Sequence, residues 1–351
     1  MKSLRELTLD GLVQWLEEKG QPSFRARQAF EWLDKKFAVS FDEMSNLSKG
    51  LREELSREFT VISLAPERCM RAEDGTVKWA SKLSDGSMVE TVLIRSPRRN
   101  TVCISTQVGC AVRCAFCESG KHGLVRNLKP WEIVDQVVLA SHEAGALVDN
   151  VVVMGSGEPM HNLDNLVKAL DFLCGQDGGL GMGARHVTVS TSGIPNGIRR
   201  LADQHRPWNL ALSLHAPNDR IRSMIIPDKC RFPIREVMEA CEYYREGTGR
   251  MITFEYVLVE GVNASSACAM ELATLARRAH AKVNLIPLNK GPADWRAPSP
   301  EDCRKFLELL ESRGVQASIR LRKGDGIRAA CGQLSARKGR APIPEDRRPA
   351  Q

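Results

Sequence analysis

Gly109-Cys110-Ala111-Val112-Arg113-Cys114-Ala115-Phe116-Cys117 delivers three cysteines from one short loop, in the spacing C-x3-C-x2-C. Three is the informative number. A structural zinc site closes its tetrahedron with four protein ligands, and an ordinary ferredoxin cluster also takes four cysteines. Three thiolates leave one metal position open, and an open position is where a substrate or cofactor can bind. The plainer alternative is a zinc loop completed by His122 or by a distant cysteine.

At 351 residues the chain exceeds the usual size of a single core, so one large domain with an accessory module is expected. Hydrophobic residues make up 42% and charged residues 26%, the balance of a soluble globular protein. No apolar run is long enough to span a bilayer, and Met1-Lys2-Ser3-Leu4-Arg5-Glu6 lacks the apolar core of a signal peptide. Eleven cysteines in that context point to metal or redox chemistry in a reducing cytoplasm, not to a disulfide framework. A cytoplasmic location, no membrane partner and a monomeric state are therefore expected. The net charge of +7 permits a polyanionic partner such as RNA without requiring one.

Residues 1–62 read as a helical accessory domain. Leu9, Leu12, Val13 and Leu16 recur at helical spacing behind Thr8 and Asp10 and stop at Gly20. Phe24, Ala29, Phe30, Leu33 and Phe37 predict a second helix, and Leu47, Leu51, Leu55 and Phe59 a third. Arg25, Arg27, Lys35 and Lys36 lie along the second, where a solvated face is a simpler reading than RNA contact. Residues 63–98 read as a linker with a β-hairpin, because Val77–Leu83 and Ser87–Ile94 flank the turn Ser84-Asp85-Gly86.

Across residues 99–334 short β-branched runs alternate with helical stretches. The predicted strands are Val102–Thr106, Asn150–Met154, His186–Ser190, Asn209–Leu214, Ile252–Leu258 and Lys282–Ile286, with one helix opening at Pro130. Such alternation implies parallel strands, and six of them predict an α/β fold built as a partial (βα)6 barrel, extendable by Gln316–Leu321. Chemistry in such barrels sits at the C-terminal ends of the strands, and the cysteine loop follows the first strand. Residues 335–351 carry Arg337, Lys338, Arg340, Arg347 and Arg348 against Glu345 and Asp346 and read as a basic, flexible tail.

In its spacing the cysteine loop resembles that of radical S-adenosylmethionine (SAM) enzymes. That resemblance implies one 4Fe-4S cluster held by Cys110, Cys114 and Cys117, with the amino and carboxylate groups of SAM on the open iron. Groups at successive strand ends agree with a cofactor lying across the barrel mouth. Gly155-Ser156-Gly157-Glu158-Pro159 follows the second strand, where glycines admit close backbone approach and Glu158 offers an acceptor for the cofactor's ammonium group. Ser190-Thr191-Ser192-Gly193 ends the third strand, Ser213-Leu214-His215 the fourth, and Asn289 follows the sixth. Singly each is an ordinary turn; their succession is the argument. Cys103 on the first strand and Cys331 far downstream would ordinarily read as buried small hydrophobes, as do Cys69, Cys174, Cys230, Cys241, Cys268 and Cys303.

Nearly the whole chain resembles the RlmN/Cfr family of radical-SAM RNA methyltransferases. The matching residues include Phe24-Arg25-Ala26-Arg27-Gln28, Val89-Glu90-Thr91-Val92, Cys103-Ile104-Ser105-Thr106-Gln107-Val108-Gly109-Cys110 and Arg126-Asn127-Leu128. Gly157-Glu158-Pro159, Ser190-Thr191-Ser192-Gly193, Ser213-Leu214-His215-Ala216-Pro217-Asn218, Asn284-Leu285-Ile286-Pro287 and Ala329-Ala330-Cys331-Gly332-Gln333-Leu334 complete the set. The resemblance implies that Cys331 becomes an S-methylcysteine intermediate and that Cys103 resolves the covalent RNA adduct through a transient disulfide with Cys331. It implies that Glu90 is the proton acceptor and that Gly157, Glu158, Ser190, Ser213, Leu214, His215 and Asn289 contact SAM. The implied partners are rRNA, with tRNA as a further candidate, and an external electron donor.

Within the family, Val108 and Thr191-Ser192-Gly193 resemble the RlmN branch, which implies methylation of adenine C2 in 23S rRNA. The alternative is Cfr-like methylation at C8, or a paralogue acting on another RNA site. Ser156 stands where many members carry Met, Glu118-Ser119-Gly120 departs from a small residue followed by Thr-Gly, Lys290-Gly291 replaces the usual Pro, and Gly326 replaces an acidic residue.

Overall fold

The computed structural model describes residues 2–176, 178–289, 292, 294–320 and 323–334. The basic tail expected at 335–351 lies outside the described residues, as does Lys290-Gly291.

The three N-terminal helices form as the periodicity predicts: α1 (Leu9–Glu18), α2 (Phe24–Asp34) and α3 (Lys49–Glu58). Thr8 caps α1 by accepting from the Gly11 N–H, and Ser48 caps α3 by accepting from the Leu51 N–H. A two-residue parallel contact between β1 (Lys2–Ser3) and β2 (Phe59–Thr60) closes the module. Its core is its own, with Leu4, Leu12, Leu16, Leu33, Met44, Leu47, Leu51 and Leu55 packed together.

Beyond residue 64 one ten-stranded sheet organises the chain. Strands β3 (Ala65–Arg71), β4 (Val77–Lys82), β5 (Met88–Ser96) and β6 (Arg99–Cys103) form an antiparallel meander. After the short antiparallel pair β7 (Gln107–Gly109) and β8 (Leu124–Asn127), the chain alternates between helix and parallel strand. The order is α4 (Pro130–Ala144), β9 (Asn150–Val153), α5 (Leu163–Cys174), β10 (Val187–Thr191), α6 (Pro195–Ala202) and β11 (Asn209–Ser213). It continues with α7 (Asp219–Ile225), α8 (Ile234–Thr248), β12 (Ile252–Leu258), α9 (Ser266–Arg278), β13 (Lys282–Pro287), α10 (Pro300–Glu311) and β14 (Ala317–Ile319). From β6 each strand pairs parallel with the next, and β3 and β14 are the free edges, so the barrel is partial.

All six predicted parallel strands are present, and the Gln316–Leu321 run supplies a seventh, β14. The hairpin does not stand apart from the barrel, because β5 pairs with β6 (Val92 opposite Cys103) and makes one continuous surface. The barrel strands are buried on both faces, with Val151, Leu210, Leu212, Ile252, Phe254 and Leu285 fully covered, which is why they read as near-continuous apolar runs. Among the described residues no helix is long and apolar enough to cross a membrane.

A buried cation joins the helical module to the barrel. Arg5 donates to the carbonyls of Val61 (2.7 Å) and Leu33 (2.8 Å) and pairs with Asp135 on α4 at 3.4 Å. Asp135 also accepts from the Ser63 N–H (2.7 Å) and hydroxyl (2.6 Å). Burial lowers the Arg5 pKa and raises that of Asp135, and each is opposed by the other's charge. Asp135→Ala leaves the Arg5 guanidinium buried without its counter-charge and should cost about 3–5 kcal/mol in a denaturant titration. Ser63→Ala removes only one charge-assisted bond and should cost about 1.5–3 kcal/mol.

Candidate functional site

The cysteine loop and the C-terminal ends of β9 to β13 enclose a cavity with about 910 Å³ of empty space, open solvent at its mouth included. Cys110, Cys114 and Cys117 line one side. Gly157, Glu158, Ser190, Ser213, His215 and Asn289 line the strand ends, and Cys331 lines the same cavity. Leu214 does not line the cavity; its side chain is fully buried in the core.

Local chemistry explains this gathering. Glu158 is almost fully buried. Its carboxylate accepts from the Thr191 hydroxyl (2.7 Å), the Met160 N–H (3.1 Å) and the Ser192 N–H (2.7 Å), so one side chain ties the end of β9 to the end of β10. His215 sits at a φ of 57°, and its Nδ1 accepts from the Val257 N–H at 3.2 Å. Burial, helped by the nearby Arg222 charge, pushes its pKa down to about 3, so the ring is neutral. Phe116 of the cysteine loop meets that ring edge to face at 5.0 Å.

Burial also pushes the cysteine thiols up: Cys110 to about 12, Cys114 well above its usual value, and Cys117 upward. Metal binding reverses this by taking the thiolate form. Among the described residues no three Cys, His, Asp or Glu groups converge as single-ion ligands, and His122 is exposed. Three thiols from one loop that line one cavity match the three-cysteine ligand set of a 4Fe-4S cluster in the radical SAM superfamily. Two buried polar atoms on the same cavity, Asn289 Oδ1 and Ser192 Oγ, have no hydrogen-bond partner among the described residues, and they are available to a polar ligand such as SAM.

Cys331 lies between two spaces, because it also lines a smaller neighbouring cavity with Asn289, Arg320 and Lys323. Its carbonyl accepts from Asn289 Nδ2 at 3.2 Å. Cys103 is buried behind it, packed with Val92 and Leu334 and against Ala329 and Met154. Burial first, and Cys331 next, push the Cys103 thiol up to about 12. Both thiols are free, so the expected Cys103–Cys331 disulfide is not formed in this structure. Glu90 is buried on β5 and pairs with Lys78 at 3.0 Å; it lies outside the walls of both cavities.

Several residues on these walls escaped the sequence reading. Glu255 is buried, accepts from Asn284 Nδ2 at 2.7 Å and has its pKa raised by burial; a charged residue inside an apolar strand was the available signal. Arg320 follows β14, its charge favoured chiefly by Cys331 against the cost of burial, then by Glu255 and Cys103. Arg222 is fully buried and donates to the carbonyls of Ser192 and Phe232. Two unusual positions in the sequence meet, since the Ser119 and Ser156 hydroxyls lie 3.0 Å apart.

Residues 2–61 match the family described as ribosomal RNA large subunit methyltransferase N-terminal domain, and residues 104–272 match the radical SAM superfamily. A probable dual-specificity RNA methyltransferase RlmN of Lachnospira eligens is 43% identical over 336 residues, covering 95% of this chain and 96% of the relative. A protein of the same description from Bacillus velezensis is 46% identical over 340 residues, covering 96% and 93%. A crystal structure of a radical SAM methyltransferase from Sphaerobacter thermophilus superposes with a TM-score of 0.88 at 45% identity, covering 97% of this chain and all of that one.

Gly157 has a φ of +111°, and an added Cβ would lie 2.7 Å from Gln107 Cβ and 2.8 Å from Thr106 Oγ1. Gly157→Ala should cost about 1–3 kcal/mol of stability, read by thermal melting, and should weaken SAM binding in calorimetry. His215 predicts a pH effect. Below about 6.5 the unfolded chain takes a proton on this ring that the folded ring refuses until about 3. Stability therefore falls as pH drops through that window, and His215→Gln should flatten that acid limb.

Proposed function

Because the chain belongs to the RlmN family of radical-SAM RNA methyltransferases, we propose that it methylates C2 of adenine in 23S rRNA, and an adenine of tRNA as well, through a methyl group carried on Cys331. The observation that carries this reading is that Cys331 lines the same cavity as Cys110, Cys114 and Cys117, with Cys103 buried against the segment that carries it.

C2 of adenine is an electron-poor amidine carbon that cannot attack a sulfonium methyl, so polar transfer fails. Cys110, Cys114 and Cys117 would hold a 4Fe-4S cluster, which with SAM and an external electron donor would supply the radical chemistry, a 5′-deoxyadenosyl radical. Glu158, Ser190, Ser213, His215 and Asn289 hold SAM in the cavity, Gly157 leaves it room, and Leu214 contributes backbone only. Cys331 takes a methyl group from one SAM, loses a hydrogen atom from that group to the 5′-deoxyadenosyl radical, and joins the base as a methylene; the adduct radical then gives up one electron, which the oxidised cluster would take. Glu90 accepts the proton displaced from the base carbon. Cys103 then attacks the Cys331 sulfur, forming an S–S bond as the C–S bond to the base breaks; the released carbon takes a proton to become the methyl group, and an external reductant reopens the disulfide.

Cys331→Ala is expected to purify free of RNA and to be inactive, and Cys103→Ala to accumulate RNA covalently bound to protein, seen as a ribonuclease-sensitive shift on a denaturing gel. An active Cys331→Ala enzyme would remove the methyl-carrier role.

A further inference from the structure

The segment that carries Cys331 is held from two sides. Toward the cysteine loop, the Glu118 N–H donates to the Gly332 carbonyl (2.8 Å) and the Ser119 hydroxyl to the Leu334 carbonyl (2.7 Å). Toward the hairpin, Asp74 accepts from the Gly324 N–H (3.0 Å) and from the Thr76 N–H (3.0 Å). Gly324 has a φ of +65°, and an added Cβ would lie 2.6 Å from Ala329 Cβ and 3.0 Å from Thr76. Four residues on, the Lys78 ammonium donates to the Arg328 carbonyl at 2.9 Å. Arg328 has a φ of 51°, a conformation that costs a non-glycine residue about 1–2 kcal/mol and persists only where surrounding contacts enforce it.

Lys78 is only 3% exposed, as is its second partner, Glu90, at 3.0 Å. The hairpin register sets Ala80 opposite Glu90, so Lys78 is the diagonal neighbour on the same face. Stability does not explain such a pair, since a buried ion pair is often no better than two apolar side chains of similar volume. It joins two elements instead. The same ammonium touches the carboxylate of the proposed proton acceptor and the backbone three residues before the proposed methyl carrier, and it lines neither cavity.

We propose that Lys78 is a positioning residue for RNA methylation, which fixes Glu90 and the Cys331 segment relative to each other. This rests on the roles proposed above for Glu90 and Cys331. Lys78 Nζ holds the Glu90 carboxylate on one side and the left-handed turn at Arg328, three residues before Cys331, on the other. Lys78 lines neither cavity, so binding of SAM should not depend on it.

The test uses the reconstituted holoenzyme as Lys78→Met, Lys78→Arg, Glu90→Gln and the Lys78→Met/Glu90→Gln pair. Lys78→Met should lose about 100-fold in kcat for RNA with KM within about 3-fold, and Lys78→Arg should recover to within about 10-fold of wild type. Reductive cleavage of SAM to 5′-deoxyadenosine should persist in Lys78→Met and Lys78→Arg. The double variant should be no slower than Glu90→Gln alone, because the two side chains act as one unit. Lys78→Met within about 3-fold of wild type, or losses that multiply in the double variant, would overturn the proposal. Should Lys78→Met fail to load its cluster, Lys78→Arg and the double variant decide by the same criteria. A fully active Glu90→Gln would instead sink the proton-acceptor role itself, whatever Lys78 does.

Discussion

The geometry of this protein depends on one constraint: a short segment from Gly324 to Leu334 must bridge the cysteine loop and the hairpin while presenting one sulfur to the space between them. Its hydrogen bonds run outward in both directions, to Glu118 and Ser119 on one side and to Asp74 and Lys78 on the other. Without the hairpin meander the segment would have one anchored side. The continuity of β5 with β6 therefore matters for function, because it places Cys103, Glu90 and Lys78 on one surface beneath that bridge.

The cavity beneath obeys a second rule, that charge is admitted only where it is held. Glu158 is occupied by three donors, and Arg222 donates to carbonyls. His215 stays neutral, and the thiols are pushed toward their protonated forms. In such surroundings a cofactor's own charges are weakly screened, and a thiol becomes reactive only when a metal, a cation or a partner sulfur activates it.

Much of this was legible in the sequence, for physical reasons. The parallel strands are buried on both faces and show as β-branched runs. The Asp-Gly turn marked the hairpin, and Pro130 marked the start of α4. Strand β3 was missed because Ala-Pro-Glu-Arg-Cys-Met-Arg is an exposed edge strand with little apolar content, the composition that protects sheet edges. The Arg5–Asp135 link spans distant segments and has no local signature. Lys78 could have been found, since the hairpin register sets it diagonal to Glu90, but lysine in a strand ordinarily reads as solvent-facing. The expected contact of Leu214 with SAM came from family likeness, and burial leaves that position only its backbone.

The most direct measurement is nucleoside mass spectrometry, with positional mapping, on rRNA and tRNA from cells with and without the gene. Presence of 2-methyladenosine in 23S rRNA, lost on deletion and restored by the wild-type gene but not by Cys331→Ala, is the expected result. 8-methyladenosine in its place, or adenine methylation unchanged by deletion, would contradict it.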